Sequence, residues 1–289
     1  MGRLFLLPYT HLLLSEILPD FFTKNSAMHR LIQLYTRLFV RKAFYPLHLF
    51  LFKLSLKGMG FFNYENEGVS GERAFVRYLR AGKRLAEGVI LDVGAHTGDY
   101  SVMLRKNQVE LPVYAFEPHP KTFRTLATVA ARYNVTPVQM GMGAVSRTAH
   151  LYDYAAAEGS QHASLYEGVI GELRHSAVQE TPIALTTVDE FIDSEGISHV
   201  ALLKIDTEGS EKAVLEGARE AIRGGRIGAI QVEFNEMNVI SRTFLRDILD
   251  LLPGYNFYRL LPDGLQPLGE YKAPYFEIFA FQNIVALRA

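Results

Sequence analysis

Four acidic residues are spaced so that one cleft can collect them. Asp92 lies in Val89-Ile-Leu-Asp-Val-Gly-Ala-His-Thr-Gly98 and Glu117 in Tyr114-Ala-Phe-Glu-Pro118, while Asp206 and Glu208 lie in Lys204-Ile-Asp-Thr-Glu-Gly-Ser-Glu211. Each segment opens on a short apolar run that reads as a buried strand. In an open α/β sheet, ligands bind beyond the carboxyl ends of the strands, where these carboxylates fall. Gly94 and Gly98 let the backbone approach a ligand closely. The helix that follows offers free N–H groups to an anion. Glu117 can accept two hydrogen bonds from a ribose diol. This is the chemistry of a nucleoside-cofactor site.

The spacing discriminates between cofactors. A dinucleotide site calls for G-x-G-x-x-G, whereas Ala95, His96 and Thr97 separate Gly94 from Gly98 here. Asp92 would also add negative charge beside two phosphates. S-adenosylmethionine suits the pattern better. Its carboxylate can be taken by backbone N–H groups, and an acidic surrounding favours its ammonium and sulfonium. Glu117 alone does not choose, because an acid at this place also binds the ribose of NAD. An NAD-dependent oxidoreductase is therefore the competing reading.

The later acidic segment supplies the second wall. Gly209 permits a tight turn, Ser210 can cap the following helix, and Glu211 sits in its first turn. Glu233 and Asn235 close the neighbouring strand, so Asp206, Glu208 and Glu233 can converge. Methyl transfer to a hydroxyl needs alignment and a proton acceptor. Asp206 is the first choice for that base, with Glu208 or His96 as alternatives. Oxygen ligands at Asp206, Glu208 and Glu233 would suit Mg²⁺ or Ca²⁺, but the reading adopted assigns no metal.

Taken together with Asp92-Val-Gly-Ala95, Phe116-Glu-Pro118, Thr187-Val-Asp-Glu-Phe191 and Val232-Glu-Phe-Asn235, the Lys204–Glu211 segment resembles the FkbM-type methyltransferase family. The resemblance runs from about Val89 to Phe281. It implies a Rossmann-like class I fold and an S-adenosylmethionine-dependent enzyme. The expected reaction is O-methylation of a hydroxyl on a sugar, glycan or natural product. It also implies Asp92, Gly94, Gly98 and Glu117 as cofactor contacts, with Val93, Ala95, Pro118 and Asp206 completing the set. A non-catalytic partner in a glycan-assembly complex is a further alternative.

The elements that must position these residues alternate regularly. Helices are expected over 72–85, 99–106, 120–133, 211–222 and 243–251, and a further one follows the strand end near Leu185. Strands are expected over 89–92, 113–117, 135–140, 201–206 and 229–234. A terminal pair, 257–261 and 276–282, flanks the Pro262-Asp263-Gly264 turn signal. Such alternation predicts a mostly parallel sheet of seven strands with an antiparallel edge strand. Residues 156–180 read as a long irregular segment and a substrate lid.

Composition bounds the rest. The 289 residues carry a net charge of −1, which gives no case for a nucleic-acid partner. Cysteine is absent, so disulfides, thiolate nucleophiles and cysteine-ligated zinc are excluded. Residues 1–60 hold eight Lys or Arg against two acids. Helices are expected over 27–42 and from Pro46 to Gly58. The boundary expected is an N-terminal helical, basic amphipathic extension over 1–66 and a Rossmann-like domain over 67–289. The extension is either a cap on the main domain or a surface for an anionic membrane or a partner protein. No convincing leader or spanning run is read, which places the chain in the cytoplasm, peripheral to the membrane if the extension binds lipid.

Overall fold

The structure is a computed structural model that describes residues 26–155, 159–160 and 162–289. The chain divides into two units, Met1–Leu56 and Lys57–Ala289. In the first, helix Ser26–Phe39 and helix Tyr45–Gly58 are joined by a short 3₁₀ turn, Lys42–Phe44. The Tyr35 hydroxyl lies 3.1 Å from His48 Nδ1, and His48 Nε2 lies 3.1 Å from the Phe39 carbonyl. Phe39 meets Phe44 edge to face. Among the described residues, no helix is long and apolar enough to cross a membrane.

The division falls ten residues before the expected 66/67 limit. Phe61 is fully buried under Arg259, whose guanidinium lies 4.2 Å from the ring centroid. The Phe62 N–H donates to the Phe281 carbonyl at 2.9 Å, and Tyr64 meets the Phe281 ring edge-on. These contacts join residues 57–66 to the larger unit.

The larger unit is built on strands β1 (Val89–Val93), β2 (Val113–Phe116), β3 (Thr136–Val138), β4 (Gly141–Met142), β5 (Arg147–Tyr154), β6 (Val178–Thr186), β7 (Val200–Ile205), β8 (Ala229–Phe234), β9 (Tyr255–Leu261), β10 (Gly264–Pro267) and β11 (Gln282–Arg288). The main sheet has eight strands in the order β10-β9-β11-β8-β7-β1-β2-β3. β3, β2, β1, β7 and β8 run parallel, and β11 is antiparallel to both β8 and β9. An antiparallel edge strand is present as expected, in β10, and β11 is a further antiparallel strand inside the sheet. The eighth strand is β10, a hairpin partner of β9 across the Pro262-Asp263-Gly264 turn. Residues 273–276 are helical, and the last strand starts only at Gln282.

Alternation along the strands sorts side chains to two faces. Leu91, Val93, Leu203, Ile205, Ile230 and Val232 pack against the helices Val188–Ser194, Glu211–Glu216 and Leu245–Asp250. Ile90, Leu202, Ala229 and Val285 pack against Glu72–Ala81, Asp99–Lys106 and Pro120–Tyr133. Both faces are covered, as the near-continuous apolar strands require. A second sheet, β4-β6-β5, rises beside the main one. Part of the expected irregular segment is thus ordered. Val178 begins β6, Val169–Leu173 forms a π-helical turn, and Ser164 bridges Tyr152.

The helix expected over 211–222 is broken into Glu211–Glu216 and Arg219–Arg223. Gly217 explains the break: a Cβ there would stand 2.1 Å from the Gly143 carbonyl oxygen. The helix must leave that spot bare so that the chain after β4 can pass. Alanine normally favours helix over glycine, yet Gly217→Ala is expected to destabilise the protein by about 2 kcal/mol or more through this overlap. Urea denaturation checks it, and an unchanged or raised midpoint would contradict the steric account.

Candidate active site

The second strand face becomes polar at its carboxyl end. Asp92 on β1, Lys204 on β7 and Gln231 on β8 are direct cross-strand neighbours. They form a row where the pattern of each strand calls for apolar residues. Lys204 Nζ lies 3.0 Å from Asp206 Oδ2 and 3.6 Å from Asp92 Oδ1, and 5.3 Å from the Tyr100 ring centroid. The Ser101 hydroxyl donates to Asp92 Oδ2 at 2.7 Å, and the Tyr100 hydroxyl donates to Gln231 at 2.9 Å. Gln231 Nε2 in turn donates to Glu72 and Asn283, each at 3.0 Å. The first turns of two helices, at Glu72 and at Tyr100-Ser101, thus close over the row.

Burial opposes the charge of Lys204, but Asp206, Asp92 and Glu72 outweigh it and hold its pKa above the ordinary lysine value. Burial raises Glu72. Lys204 was not singled out from the sequence. A lysine inside the otherwise apolar Val200-Ala-Leu-Leu-Lys-Ile205 run was the available signal, since a buried cation must be paired.

In front of this row opens a cavity of about 1010 Å³. Its walls include Gly94, Ala95, His96, Glu117, Pro118, Lys204, Asp206, Glu208 and Glu233. Val93 also reaches it, whereas Asp92 and Gly98 stand behind the wall. Asp92 is fully buried and faces Lys204. Gly98 adopts φ +92° at the helix entry, where a Cβ would meet the Leu126 side chain at 2.9 Å.

The β1 turn is held without slack. A Cβ on Gly94, at φ +79°, would lie 1.7 Å from the Asp206 carbonyl oxygen. The N–H groups of Gly94 and Ala95 both donate to the Phe116 carbonyl, at 3.1 and 2.9 Å. They tie β1 to β2 and are committed there. His96 takes φ +47°, and its Nε2 lies 3.3 Å from the Gly159 carbonyl. Buried Asp153 accepts from the Gly159 and Ser160 N–H groups and so anchors the loop that His96 touches.

Glu117 directly follows β2 and is almost wholly buried, accepting from the His119 N–H at 2.8 Å. Burial pushes its pKa up to about 7, against the pull of the His119 and His96 backbone N–H groups. His119 itself caps the helix Pro120–Tyr133 by accepting from the Lys121 N–H.

Asp206, Glu208 and Glu233 do come together, with one carboxylate oxygen from each lying within 4.8 Å of the others. Glu208 takes φ +54°, its Oε1 lies 3.6 Å from His162 Nδ1, and Ser164 donates to its carbonyl at 2.7 Å. Burial raises Glu208, His162 opposes this, and Asp206 adds to it. Burial also lifts Glu233 well above the usual carboxylate range, reinforced by Asp206 and Glu208. Ser210 makes no side-chain cap. The Glu211 carboxylate instead braces the preceding turn, accepting from the Thr207 and Gly209 N–H groups at 3.2 and 2.9 Å and from Asn238 at 2.9 Å. The other wall is apolar, with Met142, Leu151, Ile183 and Leu185 from the second sheet. Neither these side chains nor His162 shows a role in the sequence alone, although the alternation in Thr181-Pro-Ile-Ala-Leu185 marks a one-sided strand.

Known proteins share this arrangement of sequence. The chain is 28% identical over 206 residues to the 31-O-demethyl-FK506 methyltransferase FkbM of Streptomyces tacrolimicus, covering 62% of this chain and 76% of that protein. It is 25% identical over 193 residues to the 2-O-methyltransferase NoeI of Sinorhizobium fredii, with the same two coverages. It is 24% identical over 164 residues to the hexuronic acid methyltransferase AglP of Haloferax volcanii, covering 56% of this chain and 62% of that protein. The model of the methyltransferase FkbM domain matches residues 92–258, which run from the Asp92 turn through the Lys204–Glu211 segment to β9. More than half of the chain is covered by that match, and the protein belongs to the FkbM-domain methyltransferase family.

Proposed function

We propose that this methyltransferase uses S-adenosylmethionine to methylate a hydroxyl group on an uncharged sugar, glycan or natural product. The observation that carries the proposal is the charge of the cavity. Among its described lining residues nine are Asp or Glu and three are Lys or Arg; burial shifts Glu72, Glu117, Glu208 and Glu233 toward their neutral forms, which leaves Glu65, Glu67, Asp99, Asp206 and Glu236 against Lys106, Arg174 and Lys204. A dinucleotide would bring two phosphates into that field, whereas a cofactor with a sulfonium and an ammonium is attracted by it. Glu117 is at the strand end where a ribose diol is received, and the cavity is large enough for a cofactor and an acceptor together. The named activities of the relatives on a 31-O position, a 2-O position and a hexuronic acid support an oxygen acceptor. The same acidic lining opposes a uronic acid in this chain.

Bound there, S-adenosylmethionine supplies a methyl group on a sulfonium, ready for in-line displacement by an oxygen. The chain's own residues do the remaining work. Glu117 holds the ribose, and the Gly94 turn fixes the depth of the pocket. Asp92 acts from behind the wall as a positioning residue, holding Lys204 and through it Asp206. Among the expected bases, Asp206 is ion-paired to Lys204, His96 lies against the Gly159 carbonyl, and Glu208 accepts from Asn235 Nδ2 at 3.3 Å and lies 3.6 Å from His162. Glu208 faces the cavity with a raised affinity for protons. It is the group assigned to accept the hydroxyl proton, with His162 beside it.

The Glu117 assignment predicts opposed effects from one substitution. Its folded-state pKa of about 7 exceeds the ordinary 4.5, so the native state binds the extra proton between those values. Stability is therefore lost as pH rises through that window. Glu117→Gln is expected to raise the thermal midpoint near pH 8, with no gain near pH 4.5. The same variant should bind S-adenosylhomocysteine about tenfold more weakly by calorimetry. Unchanged affinity removes Glu117 from the ribose role.

The base assignment predicts that Glu208→Gln lowers turnover about 10²–10⁴-fold while S-adenosylhomocysteine affinity stays within about tenfold. Single-turnover transfer of a labelled methyl group reads it, with Asp206→Asn alongside. Full turnover in the Glu208 variant together with loss in the Asp206 variant would return the base to Asp206.

A further inference from the structure

The N-terminal unit carries a surface that the methyl-transfer reaction does not use. Between Ser26 and Leu56 the chain has five Lys or Arg and no Asp or Glu. Over the same stretch fourteen large apolar side chains are exposed. The two helices differ in how they show them. On Ser26–Phe39 the 3.6-residue period puts Arg30, Gln33 and Arg37 on one side and Leu31, Leu34 and Leu38 on the other. On Tyr45–Gly58 Leu47, Leu49, Phe50, Leu51, Phe52 and Leu54 lie around most of the circumference, each more than 40% exposed, with exposed Lys53 and Lys57 one turn apart on one side. A helix with so wide an apolar face and a narrow basic strip suits the boundary between an apolar phase and anionic headgroups.

We propose that this helical pair docks on an anionic lipid surface. Two observations select lipid over a protein partner or a second copy of this chain. The first is charge complementarity, because a stretch with bases and no acids attracts anionic headgroups, and a second copy would repel it. The second is length and circumference. Each helix has 14 residues, about 21 Å, against about 30 Å for a hydrocarbon core. The pair is too short to span, and the wide apolar face of Tyr45–Gly58 suits partial immersion among acyl chains with Lys53 and Lys57 reaching back to the headgroups. The amphipathic helix then lies in the headgroup plane with Arg30 and Arg37 toward phosphate. His48 joins the pair: its Nε2–H donates to the Phe39 carbonyl while its Nδ1 accepts from the Tyr35 hydroxyl. The polar ends of the loop are thereby paired within the unit, which lowers the cost of placing it at the interface.

The test is flotation of the full chain with vesicles of phosphatidylcholine alone and of phosphatidylcholine with about one-third phosphatidylglycerol. Two triple variants are compared, Phe50→Ser/Phe52→Ser/Leu54→Ser and Arg30→Gln/Arg37→Gln/Arg41→Gln. The bound fraction of the unaltered chain on anionic vesicles should exceed that on neutral vesicles, and that of either variant, by about tenfold. All six positions are exposed, so the thermal midpoint should not move. Should the apolar variant fail to fold, the charge variant alone decides. Equal, negligible flotation of the unaltered chain on both vesicle types overturns the proposal. So does concentration-dependent self-association in light scattering that both variants abolish without any vesicle binding, which would assign the surface to a second copy.

Discussion

The organisation of the larger unit depends on one buried ammonium group. Lys204 sits on a central strand with Asp92 beside it, Asp206 two residues on and Glu72 nearby. Without the lysine, these carboxylates would be buried at close range with nothing to offset their repulsion. Removing one partner of a buried ion pair typically costs about 3–5 kcal/mol. The backbone ladder holds the carboxyl ends of β1 and β7 together as far as the Asp206 N–H, which donates to the Val93 carbonyl at 3.0 Å, and the lysine makes that approach tolerable for the two carboxylates. That approach is close enough that Gly94 can carry no side chain against the Asp206 carbonyl.

From this arrangement the rest of the cavity follows. With Asp92 and Asp206 held by Lys204, Glu208 and Glu233 remain as partly shielded carboxylates whose proton affinity is raised by burial. Glu117 is set apart on the next strand and raised for the same reason. The site thus separates carboxylates that stay paired from carboxylates able to take a proton or a hydrogen bond. That separation is what a reaction needs when it binds a cationic donor and releases a proton.

Much of this was legible in the residues. The helices Asp99–Lys106 and Pro120–Tyr133 and strand β8 lie where the apolar periodicity and the Pro120 signal put them. The convergence of Asp206, Glu208 and Glu233 followed from two adjacent strand ends. What escaped depended on contacts distant in the chain. The break at Gly217 exists because Gly143 passes there, and nothing local opposes a continuous helix. β10 rests on a hairpin too short to show a period, and β11 gained its inner place by pairing with β8 and β9 at once. The Gly94 and Ala95 N–H groups are spent on Phe116, a partner from the next strand that nothing local to the turn announces. Lys204 and the apolar wall from the second sheet were visible as residues but had no role until the sheets were assembled.

The central claim is that Lys204 holds the carboxylates of this cavity together. It is tested most directly by the pH dependence of the urea midpoint of Lys204→Met against the unaltered protein. With the cation gone, Lys204 no longer opposes the burial that raises Glu72, so the folded state should hold that proton where the unfolded chain releases it, and stability should fall as pH rises. The account predicts a variant midpoint that drops steeply between about pH 5 and pH 8, well beyond the change in the unaltered protein. Parallel curves for the two proteins, with no loss at the upper end, would contradict it.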